Sequence, residues 1–181
     1  MRDQFLYDGQ LHSPFFVFLR EPHGYSDQKL LAKFGLDDYR LAANVNSYGR
    51  HAIIANAGGW TMLADDGYYT LWHMKSTRRA IQKLARHHDL YTCSEGDCDR
   101  SFDFAFYANG QLLREYAVQS PRFTDRTISK DYGIPLPGEA ELLRNNGCNI
   151  GIELAAGLGI KNRFELNDLR IYVPSRNSTH L

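Results

Sequence analysis

The sequence predicts an α+β domain with a largely antiparallel sheet, one main amphipathic helix and additional short C-terminal helices. Three observations predict it. Strand-like runs lie before and after a single strong helical pattern, an Asn-Gly pair joins two alternating runs, and no Gly-rich phosphate loop follows any strand. Helices alternating regularly with strands would instead indicate a doubly wound fold. No repeat, low-complexity tract or Pro/Gly/Ser linker divides residues 1–181, so the expectation is one domain.

Taken in order, Phe15 to Arg20 is an apolar, aromatic run punctuated by Pro14 and Pro22, the pattern of a buried strand. Ser26 is placed to cap a short helix through Leu30, Leu31 and Phe34, with Gly35 as its stop. Leu41 to Asn46 and His51 to Ala57 read as two strands around the turn Asn46-Ser47-Tyr48-Gly49. Gly58-Gly59 then leads into a strand from Trp60 to Ala64, which ends at the turn Asp65-Asp66-Gly67.

The main helix follows. Met74, Ile81, Leu84, Ala85 and His88 share one face at helical spacing, and Lys75, Arg79, Lys83 and Arg86 share another. Ser76 or Thr77 is the expected cap, and basic residues near the far end complement the helix dipole.

Leu90 to Thr92 opens the next strand. Phe102, Phe104 and Phe106 then alternate with Asp103, Ala105 and Tyr107, and Leu112, Arg114, Tyr116 and Val118 answer beyond Asn109-Gly110. Asn-Gly between alternating runs predicts a two-residue hairpin, because both turn positions need positive φ. After Pro121 the pattern fades. Gly133 to Gly138 reads as an extended connector, with Pro137 holding Leu136 out of helix. Glu139 to Arg144 and Ile150 to Leu158 predict two short helices, and Leu169 to Val173 a last strand.

Lys plus Arg and Asp plus Glu both number 21, so the chain carries no net charge and lacks the global basic footprint of a nucleic-acid binder. Three cysteines, Cys93, Cys98 and Cys148, form no even disulfide set and point to a reducing compartment. No apolar leader follows Met1-Arg2-Asp3-Gln4, and the run from Pro14 to Leu19 is too short to span a bilayer. The expected location is the cytoplasm, with no membrane association.

Four carboxylates, Glu95, Asp97, Asp99 and Asp103, fall within nine residues between a strand and the hairpin. Such a run reads as a solvated connection, as a negative patch for a basic partner, or as a divalent-cation loop. The calcium-loop pattern needs a glycine and a closing glutamate at set positions, and both are missing. Cys93 and Cys98 with His87 and His88 lack the paired spacing of a structural zinc site. No Gly-x-Ser-x-Gly, His-Glu-x-x-His or Walker motif occurs, so no catalytic residue, metal ligand or cofactor is assigned. The aromatics Tyr68, Tyr69 and Trp72, beside Asp65 and Asp66, either staple the helix entrance to the sheet or form interface anchors.

Gly59-Trp60-Thr61-Met62-Leu63-Ala64-Asp65-Asp66, the Tyr107–Arg114 hairpin and Gly133-Ile134-Pro135-Leu136-Pro137-Gly138-Glu139 together give about half the chain a recognisable texture. It resembles small bacterial immunity proteins that neutralise secreted antibacterial toxins. The resemblance implies a stoichiometric protein partner, the cognate toxin, whose active site is occluded inside the cell. Glu95, Asp97, Asp99, Asp65, Asp66, Tyr68, Tyr69 and Trp72 are the expected contacts. The rival expectations are a small metal-assisted hydrolase or nuclease using the 95–103 carboxylates with a nearby histidine, and a nucleic-acid-binding accessory domain using the basic helix face. The oligomeric state is left open by the sequence.

Overall fold

The computed structural model describes residues 6–20, 25–42, 50–65, 70–96, 101–120, 126–145 and 149–175. In chain order the elements are β1 (Leu6–Tyr7), β2 (Gln10–Leu11), β3 (Phe15–Arg20), α1 (Asp27–Lys33), β4 (Tyr39–Leu41), β5 (Ala52–Asn56), β6 (Trp60–Asp65), α2 (Thr70–His73), α3 (Lys75–Leu84), β7 (Leu90–Glu95), β8 (Phe102–Ala108), β9 (Gln111–Gln119), β10 (Thr127–Gly133), α4 (Glu139–Asn145), α5 (Ile150–Gly157) and β11 (Arg170–Pro174).

β1 and β2 form a small ribbon of their own. The remaining strands make one nine-stranded sheet among the described residues, in the order β10-β9-β8-β7-β3-β6-β5-β11-β4, with antiparallel pairing between neighbours. The α+β class and the antiparallel sheet are as expected. No helix of the described residues is long and apolar enough to cross a membrane.

The centre of the sheet is β3, whose continuous apolar run reflects burial on both sides. Successive side chains of a strand point to opposite faces. Phe16 and Phe18 join Met62, Tyr91, Phe104 and Tyr116 under α5, which contributes Ile150, Ile152 and Leu154. Phe15, Val17 and Leu19 join Leu63 and Leu90 under α1 and α3, which contribute Leu30, Leu31, Ala80 and Leu84, with Phe34 at the C-cap of α1. Helices thus cover both faces, but among the described residues no helix covers the second face over β8, β9 and β10.

The local signals for two elements hold closely. Ser26 caps α1, its hydroxyl accepting a hydrogen bond from the Lys29 amide at 3.3 Å. Asn109 and Gly110 take φ of 51° and 77°, the paired positive values that a two-residue hairpin between β8 and β9 requires. A bulge at Leu113 then shifts the register, so that Leu112 lies opposite Tyr107 while Arg114 lies opposite Phe106.

Other expectations change. Neither Ser76 nor Thr77 caps α3: the N-cap is Met74, with no side-chain cap bond, and the Ser76 hydroxyl donates to the Phe34 carbonyl at 3.3 Å. The strands around the expected 46–49 turn do not pair with each other, because β11 inserts between β4 and β5. Residues 43–49 themselves, with the strand expected to extend to Asn46, lie outside the described residues. The stretch between Pro121 and Gly133, where the fading pattern assigns no element, contains β10, exposed along its whole length and paired with β9.

At the β10 edge a buried ion pair ties sheet to helix. Arg114 and Glu139 are each 2% exposed, and the guanidinium donates to both carboxylate oxygens at 3.0 and 2.5 Å. Arg114 also reaches Asp131 at 2.6 Å and the Tyr132 carbonyl at 2.9 Å. Glu139 accepts a further bond from the Leu136 amide at 2.8 Å, fixing the start of α4.

Candidate functional site

The helix-free stretch of sheet forms the floor of a groove, and α2 and α3 form its wall. Thr92 and Ser94 of β7, Asp103 and Ala105 of β8, Glu115 and Ala117 of β9 and Lys130 of β10 lie along the floor. Trp72, Thr77, Arg78, Ile81 and Gln82 stand along the wall. The register explains the floor's composition. Ser94 lies opposite Asp103, Asp103 opposite Ala117 and Ala105 opposite Glu115, so these side chains share one face. They are small or polar where their neighbours on the other face are Cys93, Phe104 and Tyr116. The trough encloses a volume of about 1330 Å³.

Asp103 is the most perturbed acid described in this groove. Burial pushes its carboxyl up to about 6, against a hydrogen bond with Ser94 and the attraction of Lys130, with Glu115 adding repulsion. No cation of the described residues lies within ion-pair distance of it. Lys130 is paired with Glu115 instead. On the wall, Thr77 is 3% exposed and its buried hydroxyl has no hydrogen-bond partner among the described residues. Lys75, Arg78 and Arg79 are exposed along the same wall.

The carboxylates expected to act together are divided. Glu95 and Asp103 are not in a loop but on the paired strands β7 and β8, and Glu95 lies opposite Phe102 rather than Asp103. Alternation therefore places the two acids on opposite faces of the sheet. Glu95 accepts a hydrogen bond from the Asn149 amide at 2.7 Å, which joins β7 to the start of α5, and burial raises its carboxyl against that bond. Asp65 is 1% exposed and its carboxylate accepts from the Leu71 and Trp72 amides at 2.8 and 3.1 Å, so it holds the entrance of α2. Trp72 is 41% exposed, stands edge-on to Phe15 at 5.5 Å and lines the groove. Asp66, Tyr68, Tyr69, Asp97 and Asp99 lie outside the described residues, as do Cys98 and Cys148.

Cys93 is buried in the core under α5, and burial pushes its thiol well above the ordinary range. His88 packs against the Tyr25 ring at 5.7 Å, and partial burial with the neighbouring His87 lowers it. Among the described residues no three His, Cys, Asp or Glu side chains gather where they could share a metal ion. No family model, no curated protein and no solved structure matches this chain. The geometry of the groove therefore carries the functional argument.

Asp103 yields a direct stability test. Its folded value of about 6 lies above the roughly 3.9 of an unfolded aspartate, so the folded state binds the proton more tightly. The contribution is fully present below about pH 4 and is lost as pH rises towards 6. At pH 7.5 the ionised carboxylate works against the fold. Asp103→Asn is expected to be more stable than the parent at pH 7.5 by roughly 2 kcal/mol, once solvent screening is discounted, with the gap closing near pH 4. Urea unfolding at the two pH values measures it; a gap independent of pH would show that ionisation is not the cause.

Proposed function

We propose that this chain is a binding protein, an immunity-type inhibitor that occludes the active site of a bacterial toxin acting in the cytoplasm. The observation that carries the reading is the groove with its surroundings. Its volume of about 1330 Å³ exceeds the roughly 300–1,000 Å³ typical of small-molecule pockets, and it is a trough open to a large partner. Exposed Trp72 stands on its wall, and exposed Leu113, Ile128 and Tyr132 lie on the neighbouring strands β9 and β10. Aromatic anchors beside a charged rim are the composition of protein–protein interfaces. The resemblance to immunity proteins supplies the class of partner.

The experiment is capture followed by a growth test. The tagged chain is used to isolate its partner from the native host, and the captured protein is then expressed alone and together with this chain. A near-equimolar partner that arrests growth alone and is silenced on co-expression supports inhibition. A harmless partner, or a toxic one that this chain leaves active, refutes it.

A further inference from the structure

Resting on the reading of the chain as a protein-binding inhibitor, we infer that the groove is a slot for a Lys or Arg side chain carried on an extended, otherwise acidic segment of the partner. Asp103 is its counter-ion and Thr77 its hydrogen-bond partner.

Three features of the groove specify that occupant. The first is a carboxylate on the floor without a cation. Ser94 hydrogen-bonds Asp103, and Lys130, the basic residue nearest in register, is committed to Glu115. A desolvated carboxylate gains most from a cation brought to it, because the pair then forms where solvent no longer competes. Burial has already driven Asp103 up to about 6, the response of an acid lacking that partner.

The second is Thr77. Its hydroxyl is buried and finds no partner among the described residues, and such groups are rare because burial strips their water without replacing its hydrogen bonds. Thr77 lines the same groove as Asp103, so a bound group with hydrogen-bonding capacity satisfies it. The third is relief and charge. Thr92, Ser94, Ala105 and Ala117 leave the floor deep around Asp103, while Lys75, Arg78 and Arg79 run along the rim. With Lys130 neutralised by Glu115, the floor's unpaired charge is the carboxylate of Asp103, and the basic rim above it repels a uniformly basic segment. The arrangement suits a basic side chain that descends between carboxylates held at the rim, which is electrostatic complementarity used for specificity.

The test uses the full chain and defined peptides. Acetyl-Gly-Glu-Arg-Glu-Gly-amide and its counterpart with glutamine in place of arginine are titrated into the isotopically labelled protein, and amide shifts are followed by NMR. The arginine peptide is expected to move the amides of Ser94, Asp103, Ala105 and Thr77 in a saturable way, and the glutamine peptide to leave them in place. Asp103→Asn, which keeps the side chain's shape, is expected to weaken binding about tenfold or more, and Thr77→Val about threefold. Both variants must give the parent's dispersed spectrum, which separates lost binding from lost folding.

Equal binding of both peptides, or undiminished binding by Asp103→Asn, overturns the slot. Shifts confined to Lys75, Arg78 and Arg79 also overturn it, since they assign the groove to anions. The slot and the inhibitor reading fail separately. If Asp103→Asn still silences a captured toxin, the slot fails and inhibition stands. If the arginine peptide binds to a chain that silences no toxin, the slot stands without the inhibitor reading.

Discussion

Glu139→Ala is expected to cost about 3–5 kcal/mol of folding stability, more than any exposed charge in the molecule could account for. Arg114 and Glu139 are each 2% exposed, and the guanidinium grips both carboxylate oxygens. Removing the glutamate leaves a buried cation whose remaining ionic partner, Asp131, is 58% exposed and screened by water. It also removes the acceptor for the Leu136 amide, which loosens the entry to α4. Two further variants separate charge from shape. Glu139→Gln keeps hydrogen-bonding atoms in place and is expected to lose less than Glu139→Ala. Arg114→Met combined with Glu139→Leu removes both charges and is expected to recover most of the loss, because a buried ion pair repays little more than its own desolvation. Urea unfolding of the four proteins reads this out as shifts in midpoint at constant slope. If the double variant is as unstable as Glu139→Ala, the pair contributes net stability and the argument from desolvation is wrong.

That ion pair also shows what could be read in the sequence. Alternation along β9 aligns Arg114 with Tyr116 and Val118, so the pattern itself puts a charged residue on an apolar face. A conflict of this kind signals a buried partner. It does not identify one, because Glu139 lies 25 residues away in another element. Apart from the bulge at Leu113, which nothing local announces, the hairpin was legible because Asn109-Gly110 encodes its own backbone geometry. Ser26 and the apolar run of β3 were legible for the same reason: cap and burial are local facts about a few adjacent residues.

β10 escaped because it is exposed throughout and carries a bulge between Ile128 and Lys130, so neither face shows a period of two. The insertion of β11 between β4 and β5 escaped because strand order is set by contacts far apart in sequence. The groove was the hardest to see. Four carboxylates close together look like one patch, but strand register sends Glu95 and Asp103 to opposite faces of the sheet. Thr77 looked like a cap because Ser and Thr at the start of a helix usually are. The hydroxyl that matters for the groove is marked by the absence of that bond, which sequence does not display.

Gly151→Ala is expected to destabilise the fold by about 3 kcal/mol, through one contact on the face of the sheet opposite the groove. A Cβ at Gly151 would sit 2.5 Å from the Cβ of Cys93 and 3.3 Å from its sulfur, so α5 and β7 meet here at a distance only glycine permits. The Tyr91 hydroxyl donates to the Gly151 carbonyl at 2.7 Å, and Tyr91 is buried. Lifting α5 to admit a methyl group therefore strains packed side chains and stretches a buried hydrogen bond together. The thiol takes no chemical part, since burial keeps it protonated. Partner substitutions decide between contact and general helix effects. Cys93→Ala keeps the offending Cβ and is expected to give no rescue of Gly151→Ala. Cys93→Gly removes it and is expected to restore part of the loss, less the roughly 1 kcal/mol that glycine costs in a strand. A double-mutant cycle by urea unfolding measures that coupling. Equal behaviour of the two Cys93 variants would place the strain elsewhere in α5, whereas rescue by glycine alone locates it at the crossing with β7, directly beneath Thr92 and Ser94 on the groove floor.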